Sequence, residues 1–165
     1  MAVDRKMAPL ELRDHIRGFL KEHKSAALAT CKDDIPRCSP VQYFLGEEMD
    51  IYILSAGGEK FKAIESNSNV CLLVNTEYIN YKRIKGIQVF GKATICAQDK
   101  KIFEEAMKYN PDNEMGQVKG DHLKAIKIVP TEVVYLDSLE DGDRTKQILR
   151  HEEVEIQPEE MSLLH

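Results

Sequence analysis

The sequence predicts a mainly β fold of the α+β class, in which an antiparallel sheet or barrel carries short helices on its outside. Six or seven short segments rich in β-branched and aromatic residues are separated by turn residues, and the first of them are linked as hairpins. Only three segments show the periodicity of a helix. Parallel strands need a long crossover between successive strands, usually a helix, so this chain favours antiparallel pairing.

Length and composition bound the class of protein. The chain has 165 residues, of which 42% are hydrophobic and 31% charged, as is ordinary for one soluble domain with a sizeable core. Its net charge of −5 argues against general nucleic-acid binding, which needs a concentrated basic surface. No apolar run approaches the roughly 20 residues that span a bilayer, and no apolar segment follows the basic residues at the N-terminus. We therefore expect a cytoplasmic protein that binds neither membranes nor nucleic acids.

The first half of the chain begins with a predicted helix over residues 9–24. Pro9 suits the first turn of this helix, and the apolar residues recur on one stripe. The stripe consists of Leu12, Ile16, Phe19 and Leu20. Three strands follow, at residues 25–30, 37–45 and 51–54. Pro40 removes one hydrogen-bond donor from the second strand, so we expect that strand to lie at a sheet edge or to be bulged there.

The second half of the chain is predicted to contain two more helices and four more strands. The helices cover residues 60–64 and 100–109, and the strands cover residues 70–75, 86–96, 123–129 and 132–136. Continuous hydrophobicity predicts that the strand at 70–75 is buried on both faces. We expect Gly91 to form a bulge, Asp99 to cap the second of these helices and Pro130 to separate the last two strands. Residues 110–120 are predicted to form a long loop.

Beyond Asp137 the sequence becomes acidic and polar, with scattered apolar residues. Such a segment buries too little apolar area to offset its ordering entropy. We therefore expect a domain over residues 1–136 and a polar C-terminal tail over residues 137–165 that contributes little to the core. The apolar residues of the tail would instead contact a partner subunit or cover a site.

The four cysteines show no spacing typical of a metal or redox site. Cys31, Cys38, Cys71 and Cys96 form no C-x-x-C pair, and no histidine stands at zinc-ligand spacing from them. In a reducing cytosol we interpret them as small, mostly buried residues, with a metal or redox role as the less favoured alternative. No Ser-His-Asp or Cys-His arrangement can be argued from spacing, so neither a metal ligand nor a catalytic side chain is predicted.

The stretch IYILSAGGEKFKAIES, residues 51–66, has the composition of an anion-binding loop. Its strand is stopped by Gly57 and Gly58, and a short helix follows. Free N–H groups at the helix start, the hydroxyl of Ser55 and the positive charges of Lys60 and Lys62 would together hold a phosphate. The alternative is an ordinary tight turn with solvated lysines, and this stretch alone does not decide between the two.

Three blocks of sequence, considered together, resemble the pyridoxamine 5′-phosphate oxidase-like, FMN-binding split-barrel family. The blocks are ALATCKDDIPRCSPVQYFL, DIYILSAGGEKFKAIESNSNVCLLV and KGIQVFGKATI, and the resemblance covers residues 8–136. It implies a six-stranded antiparallel split β-barrel with short flanking helices. It also implies a homodimer that binds FMN at the dimer interface and acts on a small-molecule substrate.

The same resemblance implies which residues bind the cofactor. They are Arg37, Cys38, Ser39, Val41, Gln42, Ile53, Leu54, Ser55, Lys60 and Gln88. The first five would run beside the flavin ring, and the next three would meet the ring edge and the start of the phosphate chain. Lys60 matches the phosphate-binding lysine of the family, and Gln88 matches a polar position that some members direct at the flavin. Solvated roles remain the alternative for Arg37, Ser39 and Gln42, since exposed polar residues are ordinary on an open strand.

This chain departs from the family pattern in two ways. Glu59 stands where the family often has arginine, and a carboxylate close to a phosphate is unfavourable unless it points away. True pyridoxamine phosphate oxidases end in a tryptophan-containing, arginine-rich segment, whereas this chain has no tryptophan and no such block. The chain therefore resembles a relative of the oxidase and not the vitamin B6 enzyme itself.

Two functions from different classes follow from these observations. The first is a small FMN-dependent oxidoreductase, in which the flavin carries the redox chemistry and no catalytic side chain need stand out in the sequence. The second is a non-enzymatic split-barrel dimer that binds flavin or haem as a carrier or regulator, or that has lost its cofactor. Glu59 favours the second function, whereas Ser55 and Lys60 favour the first.

Overall fold

Six antiparallel strands close into a ring at the centre of the molecule. The computed structural model describes residues 6–111 and 123–159. Its elements, in chain order, are α1 (Pro9–Glu22), β1 (Ser25–Lys32), β2 (Ile35–Leu45), β3 (Ile51–Ser55), α2 (Glu59–Ser66), β4 (Asn69–Asn75), β5 (Lys85–Ile95), α3 (Lys101–Tyr109), β6 (Lys124–Asp137), β7 (Lys146–Arg150) and β8 (Glu153–Gln157). The ring runs β3-β2-β1-β4-β5-β6, and a further pairing of β3 with β6 closes it. The predicted mainly β fold with antiparallel pairing is confirmed, and its form is a split barrel.

The barrel interior holds the main apolar core, and α1 packs against it. Alternate residues of the ring strands point inward, among them Leu28, Tyr43, Ile53, Leu72, Val89, Ile126 and Ile128. All four residues of the predicted α1 stripe are buried in the same core. The hydroxyl of Tyr43 donates a hydrogen bond to the carbonyl of Leu20 (2.7 Å), and burial raises the pKa of this phenol. This bond ties β2 to the last turn of α1.

β6 continues through Pro130, so the prediction that this proline separates two strands is wrong. The pairing of β5 with β6 shifts by one residue between Phe90 and Gly91, and Thr131 is the extra residue on β6. A bulge lacks one ladder hydrogen bond, which allows a residue without an N–H to stay in the strand. The expected bulge at Gly91 is confirmed. A β-carbon at Gly91 would lie 2.6 Å from the carbonyl oxygen of Val129, so only glycine permits this close approach.

β4 has an open outer face, contrary to the prediction that it is buried on both faces. Leu72 and Val74 are buried in the barrel, whereas Leu73 is 38% exposed and Cys71 is half-buried. The apolar run VCLLVN therefore supplies both the inside of the barrel and an apolar outer surface. An apolar outer surface on a barrel strand is typical of a contact face.

α3 packs on the outside of β3 through a second, smaller cluster that includes Tyr52 and Leu54. The rings of Phe44, Tyr52 and Tyr109 stack in sequence, with centroids 5.9 Å apart at each step. Tyr52 and Lys127 both donate to one carboxylate oxygen of Glu105 (2.9 Å each). The bond from Lys127, followed by that from Tyr52, lowers the pKa of Glu105.

The sequence places α3 correctly and leaves the loop after it untested. The N-cap position of α3 is Lys100, so the prediction that Asp99 caps this helix is wrong by one residue. The carboxylate of Asp99 nevertheless accepts the N–H of Lys101 at 3.0 Å. The predicted loop at 110–120 lies, apart from its first two residues, outside the described part of the chain.

Two strands in the segment after Asp137, β7 and β8, belong to the sheet, so the expectation that this segment contributes little to the core is wrong. β7 pairs with the second half of β6, and β8 pairs with β7 as a hairpin. Leu149 and Val154 are buried in the main core, and Ile148 is buried on the opposite side of β7. The scattered apolar residues find enough partners because the long β6 offers them a ready-made edge and α1 packs on β7.

Truncation of one buried side chain tests whether the β7–β8 hairpin contributes to the core. Leu149→Ala should lower the free energy of unfolding by about 2–5 kcal/mol, since a buried leucine leaves a cavity when truncated. Glu152→Ala, an exposed change in the β7–β8 turn, should alter it by less than about 0.5 kcal/mol. Urea unfolding followed by circular dichroism measures both. Equal stabilities of the two variants would show that the hairpin is not part of the core.

Candidate functional site

The site predicted from sequence lies where β2 and β3 separate. Their pairing ends at Tyr43 and Ile53, after which β3 remains paired with β6 alone. The first half of β2, up to Gln42, pairs with β1 on one side and has no strand on its other side in the described residues. Pro40 lies in this open edge, as expected for a residue that cannot donate to a ladder. The backbone groups along the edge are thus available to a ligand.

Residues of β2 present alternate side chains to the two faces of the sheet. Val41 is buried in the barrel core, and Ser39 is half-buried on the same side. Cys38 and Gln42 are exposed on the outer face, and Arg37 is exposed near the β1–β2 turn. Of the predicted residues on β2, Val41 could therefore reach a ligand only through its backbone.

The loop after β3 has the backbone expected of an anion-binding turn. Gly57 and Gly58 both have φ of +121°, a conformation that residues with a side chain rarely adopt. The hydroxyl oxygen of Ser55 accepts the N–H of Gly57 at 3.5 Å, and the Lys60 ammonium donates to the carbonyl of Gly57 at 3.4 Å. No described side chain caps the N-terminus of α2; the N–H of Phe61 donates to the carbonyl of Gly58 at 3.2 Å, which leaves the N–H groups of Glu59 and Lys60 available. The loop thus gathers donors and one positive charge.

The carboxylate of Glu59, the departure from the family pattern, is paired away from this loop. Glu59 lies 3.4 Å from the Lys62 ammonium, one helical turn further along α2, and both side chains are more than half exposed. Lys62 therefore neutralises Glu59, whereas the Lys60 ammonium is directed to the glycine loop. The unfavourable carboxylate next to a phosphate is avoided in this arrangement.

The structure adds one residue that sequence reasoning missed. Lys124 stands opposite Ser55 in the pairing of β3 with β6. Its ammonium would lie 3.8 Å from a β-carbon at Gly57, and it lies 5.7 Å from the ring centre of Phe61. No local sequence pattern indicates that Lys124 lies near the glycine loop, since this contact depends on the pairing of two strands that are distant in sequence.

The side chains of three other predicted residues, Ile53, Leu54 and Gln88, do not point to the glycine loop. Ile53 is buried inside the barrel and Leu54 is buried against the α3 cluster, so each offers only backbone there. Gln88 lies on β5, with β1 and β4 between it and β2, which places it about 14 Å away across the sheet. Within one chain, Gln88 is therefore separate from the rest of the predicted site.

A shallow concavity of about 440 Å³ lies on the outer face of β1, β2 and β4. Small residues form part of its lining, and Ala27 stands between Pro40 and Leu73 there. Further along the same face, Ala29 stands between Cys38 and Cys71. Burial, with a smaller contribution from Cys38, raises the pKa of the Cys71 thiol. This surface is flat and apolar enough to accept another surface closely.

A second cavity, of about 610 Å³, adjoins the open edge at Gln42 and Leu54. Its described lining combines aromatic rings with basic groups and contains no carboxylate. The lining residues are Leu20, Lys21, His23, Lys24, Gln42, Tyr43, Phe44, Leu45, Leu54, Tyr109, Asn110 and Pro111. Its volume falls within the range of small-molecule pockets.

The described residues contain no group of three or more His, Cys, Asp or Glu side chains placed to hold a metal ion. All four cysteines are free thiols. None of the described helices has the length and apolar character that a membrane crossing requires.

Comparisons with known proteins give the same fold. A family model described as pyridoxamine 5′-phosphate oxidase matches residues 12–137. No curated protein matches the chain significantly. The FAD-binding protein from Mesorhizobium loti is 19% identical, over 78% of this chain and 94% of that one, with a TM-score of 0.57.

Two further solved structures are similar in fold. General stress protein 26 from Bacillus anthracis is 21% identical, over 85% of this chain and 98% of that one, with a TM-score of 0.56. The haem storage protein HutZ from Vibrio cholerae is 17% identical, over 72% of this chain and 89% of that one, with a TM-score of 0.59. Identities this low establish a shared fold and leave the ligand open.

Two glycines with open space around them test the strain in the loop. Gly58→Ala should destabilise the protein by about 1–3 kcal/mol, because φ of +121° with ψ of −169° is a region closed to side chains. Gly18→Ala, in the interior of α1, should stabilise it by about 0.5–1 kcal/mol, since alanine favours a helix. Thermal unfolding should show a lower melting temperature for Gly58→Ala and a higher one for Gly18→Ala than for the wild type. A stabilising Gly58→Ala would mean that the loop has another conformation.

Proposed function

Because the chain belongs to the pyridoxamine 5′-phosphate oxidase family, we propose that it binds FMN and acts as a small FMN-dependent oxidoreductase. One observation carries the proposal. In the described residues, a strand edge without a partner strand and a glycine loop with lysines that form no ion pair meet where β2 and β3 separate. A flavin mononucleotide has a ring edge that needs hydrogen-bond partners and a phosphate that needs an anion site. The residues present fit both needs.

The proposed roles follow the position of each group. The open edge of β2 over Arg37–Gln42 would hold the ring edge through its backbone, with Ser39 as an additional donor. Ser55, the N–H groups at the start of α2 and Lys60 would hold the phosphate. Ile53 and Leu54 would fix the strand end by packing.

The chemistry of the proposed reaction would come from the cofactor. When bound, a flavin accepts two electrons from a substrate and passes them to oxygen or another acceptor. The protein would bind and orient the substrate and exclude water from it. The cavity beside Gln42, with its aromatic and basic lining, is the described space adjoining the edge that could hold a small molecule.

The proposal includes a homodimer with the cofactor between the subunits. The small-residue face around Ala29 is exposed and apolar, and Gln88 lies on the same side of the sheet, too far from β2 to serve the same site in one chain. In a dimer through this face, Gln88 of one subunit would reach the cofactor held by the other.

The free thiols agree with the cytoplasmic location that we propose.

A second function remains a candidate because of one observation. The fold is similar to that of a haem storage protein, so a split barrel of this kind can serve haem. In that case the chain would be a carrier or regulator and not an enzyme. The visible spectrum of the purified protein distinguishes a bound flavin from a bound haem and from a chain without cofactor.

Substitution on the proposed interface tests the dimer. Ala29→Arg should convert a dimer to monomers, because a large charged side chain would replace a small residue between Cys38 and Cys71. Ala97→Arg adds the same side chain at an exposed turn after β5 and should leave the dimer intact. Light scattering at micromolar concentration measures the mass. A wild-type monomer would contradict the proposal.

Substitution of Lys60 tests the phosphate site. Lys60→Ala should weaken FMN binding roughly ten- to a hundredfold, since a charge-assisted hydrogen bond contributes on the order of 1.5–3 kcal/mol. Riboflavin lacks the phosphate, so its binding should hardly change. Flavin fluorescence during titration of the apoprotein measures both ligands.

Lys62→Ala is the matched control for this experiment, because Lys62 lies two residues away and is paired with Glu59. It should change FMN binding much less than Lys60→Ala does. Unaltered FMN affinity in Lys60→Ala would place the phosphate site elsewhere in the chain.

A further inference from the structure

Two lysines from different parts of the chain lie against the same residue of the glycine loop. The Lys60 ammonium is 3.4 Å from the carbonyl oxygen of Gly57, and the Lys124 ammonium would be 3.8 Å from a β-carbon at Gly57. Each ammonium also lies 5.7 Å from the ring centre of Phe61. Phe61 itself is buried, so it is a fixed support for both side chains.

Neither lysine is neutralised by a carboxylate of the described residues. The ion pairs found there involve Lys62, Lys85, Lys127 and Arg150, and the nearest acidic side chain on α2, Glu59, is paired with Lys62. Two ammonium groups beside one loop repel each other, and a bound anion would convert that repulsion into attraction. Within the described part of the chain, the loop therefore has two positive groups beside it and no carboxylate paired with either.

The position of Lys124 along β6 strengthens this argument. Strand alternation places Lys124 on the same side as Ile126 and Ile128, both of which are buried in the barrel interior. On the neighbouring strand β3, Ser55 likewise lies on the same side as the buried Ile53, which is two residues before it. Lys124 is itself exposed, but its side chain starts on the inner side of the barrel wall, next to Phe61 of α2, and not on the outer face.

We propose that Lys124 is a second phosphate-binding residue of the cofactor site, opposite Lys60, and that the two lysines select a terminal phosphate monoester. This inference rests on the proposed FMN function. A terminal monoester carries close to two negative charges at neutral pH, whereas each phosphate of an internal diphosphate carries one. Two ammonium groups beside Gly57 match the concentrated charge, so FMN is favoured over both riboflavin and FAD.

The test compares FMN, riboflavin and FAD on matched variants, and the wild type should bind FMN more tightly than either of the other two. Lys124→Met keeps the length of the side chain and removes its charge, and it should weaken FMN binding about ten- to a hundredfold while leaving riboflavin binding within about threefold. Lys124→Arg restores the charge and should stay near wild type for FMN. Lys62→Met removes a paired lysine of α2 and should also stay near wild type. Fluorescence titration of the full-length apoprotein gives each dissociation constant.

The ratio of FMN to riboflavin affinity is the decisive readout, because a merely structural role of Lys124 would weaken both ligands together. Lys124→Gln is measured beside Lys124→Met so that the result does not depend on the folding of one variant. A wild type that prefers FMN, with both uncharged variants retaining that preference, would overturn the role of Lys124 and leave the proposed function intact. A wild type with no preference for FMN over riboflavin would overturn both.

Discussion

The arrangement of the molecule depends on one constraint: a strand can form ladder hydrogen bonds with only two neighbours. β3 is only five residues long, and it bonds with β2 over three residue pairs and with β6 over five. β3 therefore uses both of its edges, but β2 pairs with it only from Tyr43 to Leu45, so the first half of β2 has no partner on that side in the described residues. The open edge begins where this pairing ends, and the glycine loop and α2 follow the end of β3.

Local features of the site could be predicted from sequence because they depend on residue types a few positions apart. Two glycines followed by Lys60 predict a turn that leads into a helix, and the structure has that turn with both glycines at positive φ. The α1 stripe is likewise a matter of spacing along one helix. Such signals do not depend on which strands eventually meet.

Features that depend on strand pairing could not be predicted in this way. Lys124 reaches the loop only because β6 bonds to β3, and nothing within a few residues of Lys124 indicates that contact. The β7–β8 hairpin was misjudged for the same reason, since its few apolar residues suffice only when β6 supplies an edge. Local sequence rules predicted that Pro130 ends a strand. In the structure, a bulge in the pairing with the distant β5 accommodates this proline within β6.

The pairing of β3 with β6 also has a consequence for the order in which the protein is completed during synthesis. Ile51 bonds with Ile128, which is translated 77 residues later. A ribosome adds roughly 5–20 residues per second, so the barrel stays open on that side for several seconds. During this interval β1 and β2 can form their hairpin and α2 can form, but the lysine that faces Ser55 has not yet been made. The two pairings made by β6, with β3 and with β5, are therefore the last in the ring to be completed.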